Sequence, residues 1–141
     1  MPRPSNRTQL LKHFGAKQKN AMWAWCGVND EEKSVYFRVW IDFMDQFGDK
    51  GRRYYTIQGP DWGIDEKTGS FSPARNDQDE QLEKVFNQGY EAFGYFIEAK
   101  DKNVQPREIG ATRTSFVFSL ELERLDDGSV IGYPLQRIEV V

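Results

Sequence analysis

Trp23 and Trp25 are spaced one residue apart, and so are Tyr36, Arg38, Trp40 and Asp42. At that spacing each set falls on one face of an extended strand. If the two strands pair as a hairpin, one face gathers the indoles of Trp23, Trp25 and Trp40 with Tyr36, Arg38 and Asp42. Indole faces stack on flat rings, and a carboxylate beside them can read the hydrogen-bonding edge of such a ring. A flipped nucleobase is held in this manner. An exposed face of this composition marks a binding site, whereas a covered one is packing core with Arg38 and Asp42 at its rim. The spacing is compatible with both.

A second set could do phosphodiester chemistry. Pro60-Asp61 precedes Glu98-Ala99-Lys100, and two acids with a lysine can hold a divalent ion and activate water. In nucleases of that type the aspartate and the Glu-x-Lys lie on adjacent strands, whereas here a long loop and a helix are expected between them. Cys26 alternates with the tryptophans on the aliphatic side of its strand, which suits a buried small hydrophobe. His13 falls in a different element and is the single histidine of the chain, so no multi-histidine metal site and no HNH nuclease centre can be built from this sequence. No GxGxxG, Walker or GxSxG pattern occurs, and no cofactor or resident metal is expected.

Charge is distributed unevenly. The net charge is −3, yet residues 1–29 hold Arg3, Arg7, Lys12, Lys17 and Lys19 with no acid, leaving −8 for the rest. Lys12, Lys17 and Lys19, with Lys50, Arg52 and Arg53 farther on, are candidate contacts to a nucleic-acid backbone. A solvated basic segment is the alternative. One cysteine excludes an internal disulfide, and no apolar run reaches the ~20 residues of a membrane span. A soluble, cytoplasmic protein with no membrane partner is the expectation.

These side chains need a frame, and 141 residues suit one domain, 1–141, of the usual ~100–200 residues. Residues 1–5 are expected to be a loose arm, followed by a short helix from a Ser5 cap through about Phe14 that Gly15 ends. Met22 to Val28 and Val35 to Asp42 alternate and predict a hairpin across a five-residue loop. Arg53 to Gln58 predicts a third strand. Residues 59–76 predict a long loop containing Trp62 and Phe71. Asp77 with Glu80 predicts the start of the main helix, along which Leu82, Val85, Phe86, Gly89, Tyr90 and Phe93 follow at helical spacing and which Gly94 stops. Tyr95 to Ala99 and Phe116 to Glu123 predict further strands, and after a turn at Asp127-Gly128 the chain from about Val130 to Val140 predicts one or two closing strands, interrupted near Pro134. Irregular alternation of helices and strands argues against a doubly wound parallel sheet. The predicted class is α+β: a small curled, mostly antiparallel sheet or open β-barrel with one main helix and a short N-terminal helix.

Three segments carry a family likeness: Phe14-Gly15 with Met22-Trp23-Ala24-Trp25-Cys26-Gly27-Val28; Val35-Tyr36-Phe37-Arg38-Val39-Trp40-Ile41-Asp42; and Gly94-Tyr95-Phe96-Ile97-Glu98-Ala99-Lys100-Asp101 with Pro106-Arg107-Glu108-Ile109. They resemble the small β-rich domains found N-terminal to HNH endonucleases in bacterial modification-dependent restriction systems. These are similar to the PUA-superfamily readers (SRA, EVE and YTH domains), curled β-barrels that accept a flipped modified base in an aromatic cage. The resemblance implies a non-catalytic DNA-binding module that reads modified cytosine or a similar base. Trp23, Trp25 and Trp40 would form the cage, Asp42 would accept at the base edge, and Arg38 would contact phosphate or base. With no HNH segment in the sequence, a nuclease domain or partner chain is expected elsewhere, or else the protein binds alone. The alternatives are a metal-dependent phosphodiesterase using Asp61, Glu98 and Lys100, and a protein–protein interaction module that docks a partner on its aromatic face.

Overall fold

The computed structural model describes residues 3–20, 24–45, 52–104 and 108–140. In chain order the elements are Arg7–His13 (α1), Gly27–Asn29 (β1), Ser34–Trp40 (β2), a 3-10 turn at Ile41–Phe43, Met44–Asp45 (β3), Tyr54–Gln58 (β4), Pro73–Asn87 (α2), Glu91–Ala99 (β5), Ile109–Thr112 (β6), Phe116–Arg124 (β7) and Val130–Glu139 (β8). All eight strands join one sheet in the order β1-β2-β5-β7-β8-β4-β3, with β6 on β5. Pairing is antiparallel except between β2 and β5, which run parallel from Ser34↔Glu91 to Trp40↔Ile97. Parallel neighbours need a long connection, and here β3, β4 and α2 supply it. The sheet curls until β2 and β4 touch without pairing, so it stays unclosed at that seam. The α+β, mostly antiparallel expectation holds at this level.

Both faces of β2 are covered. Val35, Phe37 and Val39 point into the concave side, where Cys26, Ala92, Phe118, Leu120 and Val130 meet Leu82 of α2. Tyr36 faces the other way, against Tyr95, Ile97 and Val117, under Leu10 and Leu11 of α1. The short helix α1 is held by Asn6, whose side chain accepts from the Gln9 N–H at 2.9 Å, rather than by the expected Ser5. Gly15, at φ +67°, turns the chain out of it, a backbone conformation that glycine adopts without a Cβ penalty.

Several boundaries differ from the sequence reading. The hairpin pairs only Gly27–Asn29 with Ser34–Tyr36 around a four-residue turn at 30–33, and Trp25 and Cys26 precede the strand. Met22 and Trp23 lie outside the described residues. The main helix begins at Pro73, not Asp77. Ser72 caps it by accepting from the Arg75 N–H at 3.1 Å, and Pro73 occupies the first turn, where a missing N–H costs nothing. Its first three turns bury Arg75, Asp77, Gln78 and Gln81 ahead of Leu82, so hydrogen bonds rather than an apolar stripe anchor this stretch. Gly89, at φ +75°, ends the helix region, which moves Tyr90 and Phe93 off the helix, Phe93 onto β5. The expected loop at 59–76 is correspondingly shorter and is pinned by an Ile64↔Phe71 bridge. Strand β6 has no counterpart in the sequence reading.

Candidate functional site

The unpaired seam between β2 and β4 contains a hollow walled by Trp25, Trp40, Phe43 and Trp62, with Arg38, Gln58 and Gln78 beneath. Strand β2 delivers Arg38 and Trp40 on one face, at strand spacing. The 3-10 turn that follows bends the chain so that Phe43 stands 6.2 Å from Trp40, centroid to centroid. Trp25 lies 6.1 Å from Trp40 at 55° and 5.4 Å from Trp62 at 78°. These are the tilted and edge-on geometries that aromatic quadrupoles favour. Pairing of β4 with β3 stops at Tyr55, so from Thr56 onward that edge of β4 borders the hollow instead of a strand.

The floor is polar and fixed. Gln78 Nε2 donates to Gln58 Oε1 at 2.9 Å, and Gln58 Nε2 donates to Asp79 Oδ1 at 2.9 Å. The Cys26 thiol donates weakly to Gln78 Oε1 at 3.7 Å. Asp79 Oδ2 accepts from Arg75 Nε at 3.0 Å, and Arg75 Nη1 donates to the carbonyls of Pro60 and Trp62 at 3.0 and 2.7 Å. One chain of hydrogen bonds therefore runs from the Trp62 loop through α2 to the two glutamine amides. Within it, a planar ligand would meet indoles on its faces and amide groups at its edge.

The hollow has a volume of about 50 Å³. That admits water but falls below the ~300–1,000 Å³ of a ligand cleft. Entry of a ring requires a wall to swing out, and Phe43, 38% exposed, stands on the short 3-10 turn at the rim, packed on Trp40.

The sequence candidates divide as follows. Trp25 and Trp40 line the hollow, and Trp23 lies outside the described residues. Tyr36 does not reach the hollow: its ring stacks between Phe14 at 5.2 Å and Phe93 at 5.1 Å, as core under α1. Arg38 is 7% exposed, with its guanidinium 4.2 Å above the Trp25 ring and Nη2 donating to the Ala24 carbonyl at 3.2 Å. Burial lowers its pKa from the usual guanidinium value. Its register partner Tyr95, wholly buried, has its phenol pushed up to about 12 by burial, against the pull of Arg38. So placed, Arg38 holds Trp25 and is shielded from any phosphate. Asp42 opens onto a separate cleft with Glu98, Lys100 and Asp101.

The basic candidates do not share one surface. Lys17 and Lys19 border a cleft that also contains Asp30, Glu31 and Glu80, and Lys19 Nζ sits 3.2 Å from Glu80. Arg52 pairs with Glu121 and lies 4.6 Å over Tyr133. Arg53 is exposed beside Arg52 on a different groove, Lys12 is exposed at the end of α1, and Lys50 lies outside the described residues. For phosphodiester chemistry, Glu98 pairs with Arg113 at 3.2 Å, and Asp61 does not line the cleft of Glu98 and Lys100. Among the described residues no group of three His, Cys, Asp or Glu side chains converges as a metal would require. No described helix is long and apolar enough to cross a membrane.

Trp62 is the wall that sequence reasoning missed. It sits in a Gly-Pro-Asp-Trp-Gly stretch with no periodicity to assign it a face. A large indole in a polar loop was the available signal, because such a ring needs something to pack on. No family model, no curated protein and no solved structure matches this chain.

Proposed function

We propose that the chain is a non-catalytic reader that takes a flipped, modified base of DNA into the seam between β2 and β4. The observation that carries this reading is the meeting of Trp25, Trp40 and Trp62 around one hollow with the Gln58–Gln78 amide pair at its floor. Stacking on an indole is worth about 1–3 kcal/mol per base, which offsets the few kcal/mol that extrusion from a duplex costs. The floor amides and the free edge of β4 offer donors and acceptors to the Watson–Crick edge. A curled, unclosed sheet with a helix against each side accords with a PUA-like module. Lys12 and Lys17 are exposed, carry no ion pair among the described residues, and are candidate contacts to phosphates of the bound duplex. Modified cytosine is the preferred guest, since a substituent on its ring adds apolar area for the indoles.

Equilibrium titration with otherwise identical methylated, hydroxymethylated and unmodified duplexes tests the reading. One modified duplex should bind about tenfold or more tightly than the plain one, and Trp40→Ala should abolish that preference. Equal affinity for all three, unchanged in Trp40→Ala, would remove the proposal.

A further inference from the structure

A larger groove opens away from the tryptophan hollow, and its origin is a defect in the β7–β8 ladder. Phe118 pairs with Arg137 and Leu120 with Pro134, so Leu135 and Gln136 together face Ser119. This is a β-bulge, two residues opposite one, and it bends its strand away from the partner. Pro134 has no N–H to lose from the ladder, and the displaced Gln136 N–H donates to Ser119 Oγ at 3.1 Å. The bend leaves Leu135 57% exposed and uncovers a groove of about 520 Å³, within the ordinary range of small-molecule clefts.

Its floor is made of flat rings. Phe96 lies 4.6 Å from Phe118, 5.1 Å from Tyr55 and 6.0 Å from Phe116. Its rim is cationic: Arg52, Arg53 and Arg137. Arg137 already leans on the floor, with its guanidinium 3.9 Å from the Phe116 ring, and pairs with Glu139. Arg52 is neutralised by Glu121. Arg53 is exposed and has no acidic partner among the described residues. An exposed guanidinium above a four-ring apolar floor selects for a ligand that is planar at one end and anionic at the other. The guanidinium fork matches phosphate oxygens bidentately, and cations also stack on rings.

We propose that this groove binds a nucleotide phosphate group with its own base, a nucleoside monophosphate unit, the base lying over Phe96 beside the Arg137–Phe116 stack and the phosphate on Arg53. The site is separate from the tryptophan hollow and does not depend on the base-flipping reading. Calorimetric titration of the full chain with adenosine 5′-monophosphate, adenosine and inorganic phosphate tests it. The monophosphate should bind about tenfold more tightly than adenosine or phosphate. Arg53→Glu and Leu135→Glu, both at exposed positions, should each weaken it by about tenfold. Trp40→Ala should leave it unchanged. No saturable binding of the monophosphate, phosphate binding as tight as the monophosphate, binding unaffected in both groove variants, or loss in Trp40→Ala would each overturn the proposal.

Discussion

Arg75 carries more of the candidate site than its place on the helix suggests. It is 8% exposed, and its guanidinium ties Asp79 to the backbone of the loop that presents Trp62. Removing it leaves two carbonyls and a partly buried carboxylate short of donors. Arg75→Ala should therefore cost about 2 kcal/mol in urea unfolding, and the Trp62 indole should become more accessible to acrylamide quenching. An unchanged quenching profile would mean that the loop holds itself. The same residue marks the limit of what the sequence conveys at this scale. Trp40 was legible because strand alternation fixes the face a side chain takes, and Trp25 was singled out by the same spacing although the chain there precedes the strand. Trp62 and Arg75 were not, because their meeting depends on a loop closing onto a helix turn, and tertiary hydrogen bonds of that kind have no period.

At the scale of elements, the first turns of α2 pose a question of charge. Asp77 is 2% exposed. Its Oδ1 accepts from Gln81 Nε2 at 2.9 Å, while its Oδ2 and Gln81 Oε1 are buried acceptors with no partner. Burial raises the carboxyl above its usual pKa, partly countered by the Gln81 hydrogen bond and by Lys19. A raised acid binds its proton more tightly in the folded state, so this group's contribution favours folding at low pH. That contribution is lost as pH climbs from the unfolded value, about 4, through the folded one. The neutral acid also supplies a donor that the two orphaned acceptors lack. Asp77→Asn, neutral at every pH, should thus be more stable than the native chain by about 1 kcal/mol at pH 7. The gap should narrow toward pH 4, as read by paired urea melts. A variant less stable at pH 7 would show that the carboxylate is satisfied in solution. This buried polar face is also why the helix start was misplaced in the sequence. A search for apolar spacing finds Leu82, Val85 and Phe86, whereas residues 73–81 anchor through Arg75, Asp77, Gln78 and Gln81. The strands were more readable, since Val35, Phe37 and Val39 alternate with Tyr36, Arg38 and Trp40 just as the two cores require. The parallel pairing of β2 with β5 was not, because alternation says which face a residue takes and nothing about which strand lies beside it.

Over the whole molecule, one sheet bends far enough for β2 to meet β4 and stops short of hydrogen-bonding them. That unsealed seam is the structural fact on which the functional account depends. It places three indoles at a gap in the backbone ladder, where widening the hollow for a flat guest would require a wall side chain to move and no strand to unpair. The acidic body, −8 outside the first 29 residues, limits non-specific attraction to phosphate, so under the proposed function recognition would rest largely on the pocket. The most direct measurement is a crystal structure of the chain with a short duplex carrying one modified cytosine. The account predicts that base rotated out of the helix between Trp25, Trp40 and Trp62, with Phe43 swung aside and the Gln58 or Gln78 amide on its edge. A duplex bound with every base stacked, or seated elsewhere with the hollow still at its present volume, would contradict it.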